Sequence, residues 1–196
     1  MTFYRGAIAA ALALQFIAVG PAALAADAAS GKNKAQTCLA CHGEGGRSVN
    51  PFVPSLAGQP PLYVYYQLLQ FRDERRKNPI MSPVAVGMKD ADMRDMAAYF
   101  AQEKPAPVSP ASNPELVKAG EKIAQVFHCA SCHMPDYSGQ NHIARLAGQQ
   151  RDYLALQLRG FKTGSRPDID GTMASAAQPL SDQDIDSMAG YLSSFE

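Results

Sequence analysis

The chain has 196 residues, and its 18 Lys and Arg balance 18 Asp and Glu to give no net formal charge. That length allows one domain or two small ones, and the charge balance supplies no electrostatic basis for binding nucleic acid. Its four cysteines all fall in two short motifs, which excludes a disulfide framework and an independent catalytic thiol.

Residues 1–25 read as a secretory leader. Residues 1–5 are a short, weakly positive opening, residues 6–19 an Ala- and Leu-rich apolar stretch, and Gly20-Pro21 breaks it before Ala23-Leu24-Ala25. An A-x-A ending of this kind predicts cleavage near Ala25 or Ala26. The apolar run is short for the roughly 20 residues of a membrane span. The expected compartment is the periplasm.

Residues 32–37 have helical character and lead into Cys38-Leu39-Ala40-Cys41-His42. Pro60-Pro61 suits the start of a helix running to Phe71, and the stripe Met93, Met96, Ala97, Phe100 predicts a last helix at i, i+3, i+4, i+7 spacing. Four prolines between Glu103 and Pro114 favour an extended, semi-rigid connection. Beyond it the pattern begins again. Residues 119–127 have helical character and precede Cys129-Ala130-Ser131-Cys132-His133, residues 151–161 form a helix, and Ile185, Met188, Ala189, Leu192 repeat the stripe. Ser181 with Asp184 has the form of a capping box opening that last helix.

Further matches establish the repeat. Leu56-Ala57-Gly58-Gln59 returns as Leu146-Ala147-Gly148-Gln149, and Met96-Ala97-Ala98-Tyr99-Phe100 as Met188-Ala189-Gly190-Tyr191-Leu192. The near-constant offset marks a duplicated domain. The reading is a leader at 1–25, an N-terminal domain at 26–104, a Pro-rich linker at 105–114 and a C-terminal domain at 115–196. Strand signals are weak throughout, so the class is all-α.

The doubled C-x-x-C-H carries the chemistry. Two cysteines three positions apart can each form a thioether to a vinyl group of one haem, and the following histidine then stands beneath the iron. Two copies predict two covalently attached haem c groups. A zinc ribbon would place its Cys pairs about 15 to 20 residues apart, whereas 87 residues lie between Cys41 and Cys129 (129 − 41 − 1). A thioredoxin-like motif would sit beside a βαβ pattern, which is absent. Each half is small enough for core burial alone to be marginal, so haem is expected to supply part of each core.

With these motifs in place, the chain resembles the tandem di-haem class I c-type cytochromes of the cytochrome c₄ family. The resemblance implies two class I cytochrome c domains, each wrapped around one haem c, with His42 and His133 as iron ligands and Cys38, Cys41, Cys129 and Cys132 as the attachment points. It also bears on the opposite ligand. Two methionine pairs coincide in the repeat, Met81 with Met173 and Met96 with Met188. The second pair sits on the apolar stripes, where methionine is usually a core filler. Met81 and Met173 lie in segments read as irregular, 39 and 40 residues after His42 and His133 (81 − 42; 173 − 133). The family's axial methionines fall there. Met88 aligns with Leu180 and Met93 with Ile185, so both read as core; His128 and His142 have no repeat partners and read as solvated or locally bonded.

Neighbouring groups are partly legible. The carbonyl of Pro54, matched by that of Ala144, is a candidate acceptor for the second N–H of the ligating histidine. Tyr63 and Tyr153 recur, with haem contact or aromatic packing as open alternatives. Arg72, Arg75, Arg76 and Lys77 form a basic cluster, read as a solvated helix end or a docking patch for an acidic redox partner. The resemblance implies an electron carrier, soluble or peripherally held at the membrane, that passes electrons from a quinol-cytochrome c reductase to a terminal oxidase. Rival readings are a di-haem peroxidase-type enzyme and the cytochrome subunit of a periplasmic dehydrogenase.

Overall fold

The computed structural model describes residues 26–107 and 113–195. The leader, its cleavage motif through Ala25 and residues 108–112 of the linker lie outside the described residues. The described chain is helical, with one isolated bridge between Gln140 and Ile143 and no named strand. None of its helices is long and apolar enough to cross a membrane.

The N-terminal half contains α1 (Ala28–Lys34), α2 (Gln36–His42), a 3₁₀ turn (Glu44–Gly46), α3 (Pro61–Arg72), α4 (Met81–Ala85) and α5 (Asp90–Gln102). The C-terminal half contains α6 (Pro114–Val126), α7 (Ala130–His133), α8 (Arg151–Thr163), α9 (Thr172–Ala177) and α10 (Asp182–Ser193). Starts follow from side chains that satisfy the first free N–H groups. Asp27 Oδ1 accepts from Ala29 and Ser30 to open α1, and Asn113 Oδ1 accepts from Glu115 and Leu116 to open α6, with Pro114 in the first turn. The capping box between Ser181 and Asp184 opens α10.

In each half the first helix crosses the last at a glycine. A Cβ on Gly31 would stand 1.9 Å from the Asp95 carbonyl oxygen, and one on Gly120 would stand 2.2 Å from that of Ser187. Only a residue without a side chain lets the two backbones approach this closely. The stripes read from the sequence form the cores: Met93, Met96, Ala97 and Phe100 are buried in one half, and Ile185, Met188, Ala189 and Leu192 in the other. Asp27 N–H and Lys34 tie α1 to α5 by hydrogen-bonding Asp95.

The halves meet through reciprocal contacts, the mark of a two-fold arrangement. Gln149 accepts from Ser55 N–H at 2.8 Å and donates to the Ser55 carbonyl at 2.9 Å. Gln59 makes the mirror pair, accepting from Arg145 N–H at 3.0 Å and donating to its carbonyl at 2.9 Å. Tyr153 N–H donates to the Pro51 carbonyl at 2.9 Å, adding a backbone link between the halves.

Candidate haem sites

A helical turn is what the C-x-x-C-H spacing requires. Residues at i, i+3 and i+4 share one face of a helix, so α2 turns Cys38, Cys41 and His42 toward the same side. In the second half Cys129 caps the single turn of α7, which carries Cys132 and His133. The segment ahead of the first motif departs from the continuous helix expected. The chain is helical from Ala28 but interrupted at Ala35 between α1 and α2.

Both histidine rings are 7% exposed. His42 Nδ1 donates to the Pro54 carbonyl at 2.8 Å, and His133 Nδ1 donates to the Ala144 carbonyl at 2.9 Å. A donor bond at Nδ1 fixes the ring and leaves Nε2 as the metal-binding atom. Burial pushes both rings below the ordinary histidine value, with the carbonyl opposing it more weakly, which favours the neutral, ligating form.

One continuous cavity runs past both motifs. Cys38, Cys41, His42 and Met81 line it in the N-terminal half, and Cys129, Cys132, His133 and Met173 in the C-terminal half. Met81 and Met173 are not in irregular segments as the sequence suggested. Met81 begins α4 and Met173 lies in the first turn of α9. Asn78 and Asp168, ahead of the N-cap positions Ile80 and Gly171, accept hydrogen bonds from the methionine N–H groups and so satisfy a first-turn donor from among prolines and glycines. Met96 and Met188 are buried core residues that also border the cavity.

The cavity suits haem on two counts. Its walls are apolar, with Leu56, Val64, Phe71 and Phe100 on one side and Leu146, Leu154, Phe161 and Leu192 on the other. Among the described residues, three buried donors have no partner: Gln70 Nε2, Arg145 Nε and Arg166 Nε. All three residues border this cavity, and unpaired buried donors of this kind call for an acceptor, which the carboxylate arms of a haem would supply.

Burial pushes the Cys38 and Cys129 thiols up, opposite to the lowered thiol of an oxidoreductase. A zinc site is equally unsupported, since among the described residues no three His, Cys, Asp or Glu side chains gather as a metal-holding group.

The basic cluster divides into different roles. Arg72 pairs with Asp73 and Asp90, and Arg75 and Lys77 are exposed. Arg76 instead turns into the interface and donates to Gln67, Tyr153 and Gln157. Its repeat equivalent, Arg166, donates to Tyr63 and Gln67 at 3.3 Å. Tyr63 and Tyr153 therefore bind arginines of the opposite half, a role the sequence left open. The shared offset of ninety in Tyr63/Tyr153, Gln67/Gln157 and Arg76/Arg166 was the available signal. His128 and His142 are exposed at the cavity rim, where His142 meets the Tyr66 ring edge-on at 6.4 Å.

Comparison with known proteins agrees with this geometry. The Cytochrome c family matches residues 28–104 and again residues 117–196. Cytochrome c4 of Thiocapsa roseopersicina is 38% identical over 178 residues, covering 85% of this chain and 91% of the relative. A protein of Thiomonas intermedia named thiosulfate dehydrogenase electron acceptor is 34% identical over 172 residues, covering 81% of this chain and 78% of its own length. The crystal structure of reduced recombinant cytochrome c4 from Pseudomonas stutzeri superposes with a TM-score of 0.82 at 31% identity, covering 88% of this chain and all of that one. Two tandem family matches, two C-x-x-C-H turns and the apolar cavity that passes both agree: the chain belongs to the cytochrome c family, as a di-haem electron carrier of the cytochrome c4 type.

Proposed function

We propose that this protein is an exported, periplasmic carrier in which His42 and Met81 hold one iron and His133 and Met173 the other. The carrying observation is the repeated wall pattern. In each half a carbonyl-anchored histidine and a methionine at a short-helix N-terminus border the same apolar cleft. Bound haem supplies one-electron chemistry between ferric and ferrous iron. The chain supplies the rest. Cys38, Cys41, Cys129 and Cys132 would anchor the groups, the methionine sulfurs would serve as ligands opposite the histidines and raise the potential, and the apolar walls would exclude water.

On this reading the carrier accepts electrons from a quinol-cytochrome c reductase and delivers them to a terminal oxidase, dissolved in the periplasm or held at the membrane surface. Exposed Arg75 and Lys77, a few residues ahead of Met81 in the chain, favour encounter with an acidic partner surface. A second reading has one specific support, the relative named thiosulfate dehydrogenase electron acceptor: this chain would then take its electrons from a periplasmic dehydrogenase. Potentiometric titration of the holoprotein with spectral monitoring tests the ligand assignment. Two low-spin centres should appear, and Met81→Ala and Met173→Ala should each abolish one methionine-to-iron charge-transfer signal; unchanged signals overturn the assignment. Reduction rates with purified quinol-oxidising complex against purified dehydrogenase separate the two donors.

A further inference from the structure

The segment around Met81 leaves an apolar face uncovered, and the matching segment around Met173 does not. Ile80, Val84 and Val86 are 65%, 48% and 65% exposed, beside exposed Pro79 and Pro83. Single apolar residues on a surface are ordinary, but a run of them gathered on one short segment makes a patch. Counted from Met173, the same places hold Gly171, Thr172, Ser175, Ala176 and Gln178. Ala85 and Ala177, each four residues past its methionine, are both wholly buried, so the two short helices sit in matching registers. Ile169 is exposed near Met173, but it stands between Asp168 and Asp170.

The face lies at the wall of the haem cavity and continues beyond it. Ile80 and Val84 line that cavity, whereas Pro79, Pro83 and Val86 line a shallow groove beside it, which shares Asn78 with the cavity and is edged by Glu74 and Lys77. The groove is separate from the space that haem would fill. The rim is cationic. Arg75, Lys77 and Lys89 are exposed and make no ion pair among the described residues. Of the carboxylates nearby in the chain, Asp73 and Asp90 pair with Arg72, and Glu74 edges the groove. An apolar centre with a basic rim complements an apolar patch ringed by carboxylates, and a face this small suits the contact of a short-lived electron-transfer encounter. Binding flat on a membrane rests instead on an amphipathic helix with a broad apolar face, and α4 has five residues.

We propose that Pro79, Ile80, Pro83, Val84 and Val86 form the docking face for one redox partner, a protein whose own apolar contact patch is ringed by carboxylates. This deepens the proposed encounter with an acidic partner and rests on it. Apolar contact holds the partner against the cavity wall, close enough for an electron to cross, while Arg75, Lys77 and Lys89 speed encounter and set orientation. Asp168 and Asp170 oppose the same partner at the C-terminal half through like charge. No bond forms or breaks; one electron passes from the reduced member of the pair to the oxidised one.

The test uses the holoprotein with purified quinol-cytochrome c reductase as electron donor and purified terminal oxidase as acceptor, in stopped flow over a range of ionic strength. Val86→Asp should slow the reaction with at least one of the two enzymes about tenfold, and Val86→Ser less, with the serine effect persisting at high salt because the lost contact is apolar. Lys77→Glu should slow the same reaction at low ionic strength and converge on the parent as salt rises. The C-terminal counterpart, Gln178→Ser, should leave both rates in place. Reduction by ascorbate and the visible spectrum should match the parent in each variant, which separates docking from damage to the haem sites. The proposal is overturned if Val86→Asp and Val86→Ser react with both enzymes at the parent rate, or if Gln178→Ser loses as much. It is also overturned if the Val86 variants keep both rates yet no longer sediment with phosphatidylglycerol vesicles, the mark of a membrane-facing patch. Should Val86→Asp fail to accumulate, Val86→Ser carries the test by the same criteria. If Lys77→Glu slows neither enzyme at low ionic strength, the acidic partner is lost and the proposal with it, whereas failure of the Val86 variants alone leaves that partner standing.

Discussion

Gln59 and Gln149 occupy equivalent places in the two halves, and each closes a two-bond ring with the backbone of the other half. Both amides are buried, at 3% and 5% exposure, and their partners are Arg145 and Ser55, themselves ninety positions apart. Leucine at either position would bury an unpaired N–H and carbonyl at a cost of about 1–3 kcal/mol. Gln59→Leu and Gln149→Leu should each lower the denaturation midpoint of the holoprotein. The double variant should depart from additivity, because both rings lock the same interface. A double-mutant cycle in guanidinium checks this, and strict additivity would argue that the two rings act independently.

The helix crossings give a sharper prediction. Gly31→Ala or Gly120→Ala drives a methyl group into backbone carbonyl oxygen, and helix backbones cannot yield as a flexible side chain can. Overpacking of this kind costs about 1–3 kcal/mol and occasionally more. Gly190→Ala is the control, since its added carbon would rest at an ordinary 3.5 Å from Leu116. Chemical denaturation should show large losses at the crossings and no loss in the control, where alanine's better helix propensity favours a gain of up to about 1 kcal/mol.

Haem and fold should prove inseparable. Replacing Cys38 and Cys41 by serine removes both thioether anchors of the N-terminal half and leaves those of the C-terminal half. Haem content should fall by half, and far-ultraviolet circular dichroism should report a loss of helix, because Val64, Phe71 and Phe100 would line a cleft with nothing between its walls. Retention of the full helical signal would show that each half folds around its helices alone.

Acid should loosen α5 before neutral conditions do. The Arg72 guanidinium, with help from the Tyr65 hydroxyl, holds the Asp90 carboxyl below its ordinary value of 3.8. A carboxylate depressed in the folded state contributes stability that is complete above the unfolded value and vanishes as pH falls through the folded one. Asp90→Asn should therefore flatten the stability profile below about pH 4 and change its slope little above pH 6. Equilibrium denaturation at a series of pH values reads this directly.

What was legible in the sequence was whatever recurs locally. The C-x-x-C-H turns, the last-helix stripes and the Ser181–Asp184 box are fixed by residues within one or two helical turns of each other, and the structure places them as read. The carbonyls of Pro54 and Ala144 were also found, because each stands two residues ahead of its copy of L-A-G-Q. Long-range partners were hidden. Arg76 looked like one member of a surface cluster, yet its acceptors are Gln67, Tyr153 and Gln157, two of them in the other half. The glutamine of L-A-G-Q stood out as repeated without showing what it touches. The helices at Met81 and Met173 were hidden because the groups that meet their first N–H donors, Asn78 and Asp168, stand amid residues that ordinarily signal turns.

Because the contacts across the interface are reciprocal, each half carries a surface complementary to a near-copy of itself. Such an isologous patch would assemble two separate single-haem subunits in the same geometry, and the Pro-rich segment then acts by raising the local concentration of one half around the other. Partnership within this chain is thus encoded twice, once in covalent connection and once in shape.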